Sequence, residues 1–152
     1  MKRYLLMTLL LMTAGFTYSQ TTYYWVGGAG PTGFSTNANW NTALDGSGTT
    51  RATVSTSDIL IFNGSNIGGA VPATGTVTAT MTSTTADQVK FVSNASVVFT
   101  RISGGTGTLT IAGGSAGDDM FIESGSSLSL NSATADGSVQ MVFGTGVLGK
   151  VN

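Results

Sequence analysis

The sequence predicts an all-β fold: a right-handed parallel β-helix (solenoid) with an N-terminal aromatic cap. Three observations predict it. First, apolar residues alternate with Ser and Thr over short runs, from Val77, Ala79 and Met81 to Val139, Met141 and Phe143. Period two sends neighbouring side chains to opposite faces of a strand. Second, small-residue corners separate the runs: Ser93-Asn94, Gly104-Gly105, Gly113-Gly114, Ser124-Gly125 and Asp136-Gly137. Third, a strand–corner–strand unit recurs, residues 91–99 being echoed by residues 121–130. Short strands with such corners fit a sandwich, a barrel or a solenoid. The recurrence favours the solenoid, in which each circuit satisfies the backbone edge of the next. A β-sandwich is the alternative.

The elements follow in order. Lys2 and Arg3 form a basic start, residues 4–12 are a nearly unbroken apolar run, and Thr17, Tyr18 and Ser19 lead to Gln20. That is the layout of a secretory signal peptide, and segment 1–20 is assigned to it. The apolar run falls short of the ~20 residues a membrane span needs, and no second such run follows. Residues 21–73 form an N-terminal β region that holds both tryptophans. Tyr23, Tyr24, Trp25 and Val26 read as a strand, broken by Gly27, Gly28, Gly30 and Pro31. Asp58 to Phe62 is the strongest strand, closed by the turn pair Asn63-Gly64. Its unbroken apolar run predicts burial on both faces. Residues 74–152 are the solenoid repeats. They stop within the repeat texture, so we expect a fragment of a longer protein.

Composition narrows the chemistry. The chain has 152 residues, six Lys and Arg against seven Asp and Glu, and neither Cys nor His. Without segment 1–20 the four remaining basic residues face seven acidic ones, a net charge of about −3. Arg51, Lys90, Arg101 and Lys150 are too scattered to form a basic patch, so phosphate-driven nucleic-acid binding is not expected. Disulfides cannot supplement the core. Lack of His and Cys excludes Ser/His and Cys/His nucleophilic catalysis and the usual zinc sites. Gly numbers 22, and 41% of the chain is hydrophobic. A disordered Gly/Ser/Thr linker would lack the regular alternation.

Several residue constellations have a functional and a plainer reading. Residues 28–33 match G-x-G-x-x-G after a strand. A dinucleotide site needs a helix to begin there, and the polar residues 34–41 offer none, so this is read as a loop. Trp25 and Trp40 are candidates for stacking on glycan rings, but burial over the end of the coil is preferred. Asp118, Asp119 and Glu123, or Asp45 with Asp58, supply oxygen ligands without the spacing of a known calcium loop, and solvated turns are preferred. Asp119 and Glu123 as an acid/base pair lack any sign of a substrate between them. Lys90 and Arg101, placed on neighbouring strands, pair with acids or cover apolar surface. The Asn63-Gly64-Ser65 and Asn94-Ala95-Ser96 sequons are read as turns. No catalytic, cofactor or metal residue is assigned.

The residues Tyr24-Trp25-Val26-Gly27-Gly28, Phe34-Ser35, Asn39-Trp40 and the strand Asp58 to Gly64 resemble the start of large bacterial secreted surface proteins. These are autotransporter-like adhesins and type IX-secreted proteins with a C-terminal sorting domain. The later Leu-x-Ile and Gly-Ser-x-Leu-x-Leu texture is similar to their β-helix repeats. The resemblance covers most of the chain after Gln20. It implies an extracellular or outer-surface β-helix whose first strands cap the coil, acting as a structural, adhesin-like module with no chemistry of its own. The implied partners are surface glycans or other cell-surface proteins. The alternatives are a carbohydrate-binding module, or a non-catalytic N-terminal part of a polysaccharide-degrading β-helix enzyme. No sorting or barrel segment is recognisable up to Asn152. The exported product is expected to begin at Gln20, and its intact mass checks this; a product retaining Met1 contradicts it.

Overall fold

The computed structural model describes residues 19–28, 30–65, 76–114, 117–132 and 137–144. Most of the expected signal segment, the boundary near residue 73, the corner residue Asp136 and Lys150 lie outside these residues. The protein is all-β, with parallel sheets. Among the described residues the one helical element is a 3₁₀ turn at Asn37–Asn39.

Nine strands from Asp58 onward visit three sheets in strict rotation. β4 (Asp58–Asn63), β7 (Gln88–Val92) and β10 (Met120–Ile122) lie in the first sheet. β5 (Thr76–Thr80), β8 (Ser96–Arg101) and β11 (Ser127–Ser132) lie in the second. β6 (Thr84–Ala86), β9 (Gly105–Ile111) and β12 (Gly137–Phe143) form the third. Every pair among these nine is parallel. The N-terminal strands join the first two sheets. β1 (Thr21–Trp25) pairs parallel to β4, and β2 (Thr32–Gly33) parallel to β5. β3 (Trp40–Asn41) closes the first sheet antiparallel to β1.

Parallel register stacks like on like. In the first sheet Leu60, Val89 and Met120 form one column, and Phe62, Phe91 and Ile122 another. In the second, Val77, Val97 and Leu128 align beside Ala79, Phe99 and Leu130. In the third, Ala86, Ile111 and Phe143 align. Leu60, Phe62, Val89, Phe91, Val97, Phe99, Leu109 and Ile111 are buried in one shared core. Leu130 and Phe143, one strand further along their columns, are 49% and 40% exposed. Among the described residues no strand pairs beyond β10, β11 and β12.

Outside, the alternate positions carry hydroxyls. Thr76 and Ser96 stand 3.2 Å apart, Ser127 donates to Ser96 at 3.4 Å, and Thr106 and Ser138 meet at 2.9 Å. Corners repeat as well. Between β7 and β8, Ser93 and Asn94 adopt left-handed φ angles of 56° and 61°. The equivalent corner after β10 uses Gly125 at φ 87°, where a left-handed residue costs nothing without a Cβ.

Two expectations need correction. The strand at Asp58 is not buried on both faces: Leu60 and Phe62 are buried, whereas Ile59 and Ile61 are half-buried. Its outward Ile59 and Ile61 are register partners of Thr22 and Tyr24 on one side and of Gln88 and Lys90 on the other. Lys90 and Arg101 are on consecutive strands that do not pair, β7 and β8 belonging to different sheets. The second half of the echo between residues 91–99 and 121–130 corresponds to one register step, from Ser96 to Ser127, whereas its first half is one residue out: Phe91 pairs with Ile122, and Phe121 with Lys90. The step before it, from Thr76 to Ser96, is much shorter. Unequal circuits explain why the repeat is faint in the sequence.

Phe62 is the densest point of the core. Its ring centroid lies 5.2–6.1 Å from those of Trp25, Phe34, Trp40, Phe91 and Phe99, and it is parallel to Phe91 within 2°. Replacing it by Ala removes those ring contacts and leaves a cavity. Phe62→Ala is expected to cost about 3–5 kcal/mol, read by urea unfolding monitored at tryptophan. A loss below about 1 kcal/mol would contradict this packing.

Candidate functional site

The two tryptophans lie buried in the shared core, among its N-terminal strands. Trp25 ends β1 and Trp40 opens β3, so their backbones are antiparallel partners. Their rings meet edge-on at 5.1 Å. Each indole N–H is spent on the backbone: Trp25 donates to the Gly28 carbonyl at 3.0 Å, Trp40 to the Phe34 carbonyl at 2.7 Å. Trp25 and Trp40 are only 1% and 0% exposed. Neither ring presents a face to a sugar, so glycan stacking cannot use them in this structure. Burial wins because both indoles fill volume that the inner columns leave open.

Arg51 lies against this cap. Its guanidinium sits 5.6 Å from the Trp40 ring centroid and 3.8 Å from the Asp58 carboxylate. It also donates to Asn37 Oδ1 at 3.1 Å and to the Ser35 carbonyl at 3.4 Å. Sequence reasoning treated Arg51 as a scattered charge. Burial lowers the Arg51 pKa from its ordinary value, and the Asp58 charge opposes that. Burial pushes the Asp58 carboxyl up, against the Ser55 N–H bonded to it and the charge of Arg51.

The other candidates fall in three places. The described residues of 28–33 form no helix; Thr32 and Gly33 enter β2, and Thr32 Oγ1 donates to the Gly27 carbonyl at 3.0 Å, as the loop reading expects. The reading of these acids as solvated turns is corrected for two of them, Asp58 and Asp119, which are buried. Glu123 accepts a short hydrogen bond from the Ser93 N–H, whereas Asp119 is buried. Asp45 accepts from the Ser47 hydroxyl and N–H, which lower its pKa, and Asp58 faces Arg51. Both sequons sit in turns, with Asn63 Oδ1 accepting the Ser65 N–H at 2.9 Å. Among the described residues no three His, Cys, Asp or Glu are placed to hold a metal ion.

Two features were missed. One is an outward column on the first sheet, where Tyr24, Ile61, Lys90 and Phe121 are register partners. At about 4.8 Å per strand the column runs ~14 Å across the sheet. Beside it Lys90, Val92, Asp118 and Phe121 line a shallow groove of about 290 Å³. Period two marks these as outward positions, but only the register shows that they align. The other is a corner where Asp87 meets the chain leading from β9 to β10. Gly114 N–H donates to Asp87 Oδ1 at 2.7 Å, and Gln20 Nε2 to Asp87 Oδ2 at 2.5 Å. Burial, then the charges of Asp87 and Asp118, push the Asp119 carboxyl up.

Comparison with protein-family models, curated proteins and solved structures finds no match. Among the described residues no helix is long and apolar enough to cross a membrane.

The Arg51–Asp58 pair generates a pH prediction. Folding raises the Asp58 carboxyl above its unfolded value, so the folded chain holds that proton more tightly. The resulting stabilisation is full below the unfolded pKa, near 3.9, and is lost as pH rises through the folded value. Removing Arg51 strands a buried carboxylate. Arg51→Met is expected to lose about 3 kcal/mol at neutral pH, and less below pH ~4, in urea unfolding. Adding Asp58→Asn should recover most of the neutral-pH loss. Equal losses at both pH values would refute the coupling.

Proposed function

We propose that the three sheets are the three faces of a right-handed parallel β-helix, and that this rod is a structural, adhesin-like module displayed outside a bacterial cell. The observation that carries this is the strict rotation of nine strands through three sheets with parallel, in-register pairing. Winding in one direction produces that order with short connections. The right hand is expected because crossovers between parallel strands of one sheet are right-handed in ~98% of cases. The buried aromatic cap supports the reading, since a solenoid end needs covering to stay soluble. Export through segment 1–20 and the resemblance to secreted surface proteins support the location. A chain without His or Cys, whose buried Arg is committed to a cap, favours a scaffold over a catalyst.

A carbohydrate-contacting role is a second reading, favoured by one observation. The outward column combines two aromatic rings, Tyr24 and Phe121, with the Lys90 cation on a flat sheet face. Flat apolar faces suit sugar rings, and Lys90 supplies hydrogen-bond donors to hydroxyls or acidic groups. It replaces the tryptophans as the candidate surface. Replacing Lys90 and Phe121 by Ser should leave the far-ultraviolet circular dichroism unchanged and lower binding to glycan-coated beads at least tenfold. Unchanged binding would remove this surface from the account, and cleavage of the polysaccharide would contradict the scaffold reading.

A further inference from the structure

The corner that precedes the first-sheet strands carries an acid in each circuit: Asp58 opens β4, Asp87 precedes β7, and Asp118 and Asp119 precede β10. Asp58 is answered by Arg51. Among the described residues no ion pair answers Asp87 or Asp119. Asp87 is 1% exposed and Asp119 3% exposed, so two carboxylates are withdrawn from water at one corner. Asp87 is held by the N–H groups of Gly114 and Gln20. Asp119 is not so provided for: its Oδ1 is buried without a hydrogen-bond partner. A buried, unpartnered carboxylate oxygen is costly and calls for a proton or a cation.

The backbone is shaped around that carboxylate. Gly113 is left-handed at φ 59°, and a Cβ there would lie 2.6–2.7 Å from both Asp119 oxygens. A side chain at position 113 would therefore fill the space the carboxylate occupies. Among the described basic residues, Arg51 is engaged with Asp58, and Arg101 donates to the Met81 and Gly104 carbonyls. Lys90 lines the outer groove with Asp118.

We propose that Asp87 and Asp119 bind a calcium-class divalent cation at this corner, pinning the start of β10 onto the preceding circuit. A hard cation accepts carboxylate oxygens, and backbone carbonyls and water complete its shell. Two carboxylates, rather than the three or four of a tight site, set the affinity in the weak range of extracellular modules, roughly 10⁻⁴–10⁻³ M. Magnesium fits less well, because it demands near-octahedral geometry and gives up water reluctantly.

The test is thermal unfolding of the exported chain after chelator treatment, titrated with calcium chloride and, in parallel, magnesium chloride. Calcium should raise Tm by roughly 5–10 °C at a hundredfold excess over Kd, with magnesium weaker. Calorimetric titration should give one calcium per chain. Asp119→Asn should melt no lower than the parent in chelator and lose the calcium response, whereas Asp45→Asn, at an exposed turn, should keep it. A parent Tm unmoved by about 10 mM calcium overturns the site. So does an undiminished response in Asp119→Asn. Should that variant not fold, a parent calorimetric stoichiometry near zero overturns the site just as directly. Stabilisation by acid alone, without a calcium effect, means that the two carboxylates share a proton and also overturns it.

Discussion

Each strand from β4 to β9 finds a hydrogen-bond partner three strands further along the chain, in parallel and in register. Much of the structure depends on that constraint. Parallel neighbours cannot be joined by a tight hairpin, so the chain must travel a full circuit before returning to a sheet. Each return places equivalent side chains above one another about 4.8 Å apart. Inward positions must then be apolar in successive circuits, and corners must repeat their backbone conformation. The columns Leu60–Val89–Met120 and Val77–Val97–Leu128 meet the first demand. The left-handed Ser93, Asn94 and Gly125 meet the second.

The first circuit is different. Its strands β1 and β2 have no earlier parallel strand beside them among the described residues, and the sequence answers with volume. Trp25, Phe34 and Trp40 cluster on Phe62, and β3 turns back antiparallel to cover the β1 edge. Arg51 then ties the following loop to the cap through Trp40, Asn37 and Asp58. The separate residues Trp25, Asn39-Trp40 and Asp58 to Phe62, which carried the resemblance to surface proteins, thus come together in one aromatic cap. Both tryptophans are buried in that cluster, which is why they are unavailable to a ligand.

Local signals were legible and long-range ones were not. Alternation marked the inner residues of β5, β7 and β9, and small-residue pairs marked corners at Ser93-Asn94 and Ser124-Gly125. The strand at Asp58 misled because an all-apolar run does not distinguish two buried faces from one buried and one shielded. Register depends on circuit lengths that are unequal: in the second sheet the return from Thr76 to Ser96 is shorter than that from Ser96 to Ser127, and no single repeat reveals it. For the same reason the outward column Tyr24–Ile61–Lys90–Phe121 could not be assembled from the sequence. Asp119 was grouped with Glu123, its near neighbour in the chain, whereas folding sets its carboxylate against Gly113, next to the Gly114 N–H that bonds the earlier Asp87. Acidic side chains near in sequence were separated by a corner, and distant ones were brought together by the parallel return of the strands.

The central claim is the in-register parallel return, and the absence of native cysteine allows a direct test of it. Thr106 on β9 and Ser138 on β12 are register partners whose hydroxyls lie 2.9 Å apart. Strands about 4.8 Å apart bring paired Cα atoms within disulfide range. The measurement is oxidation of the Thr106→Cys/Ser138→Cys double variant, with free thiols counted by mass spectrometry after alkylation. The account predicts an intramolecular disulfide with both thiols lost, and none for Thr106→Cys/Val142→Cys, the pairing an antiparallel register would favour. Cross-linking of the second pair in preference to the first would contradict the account.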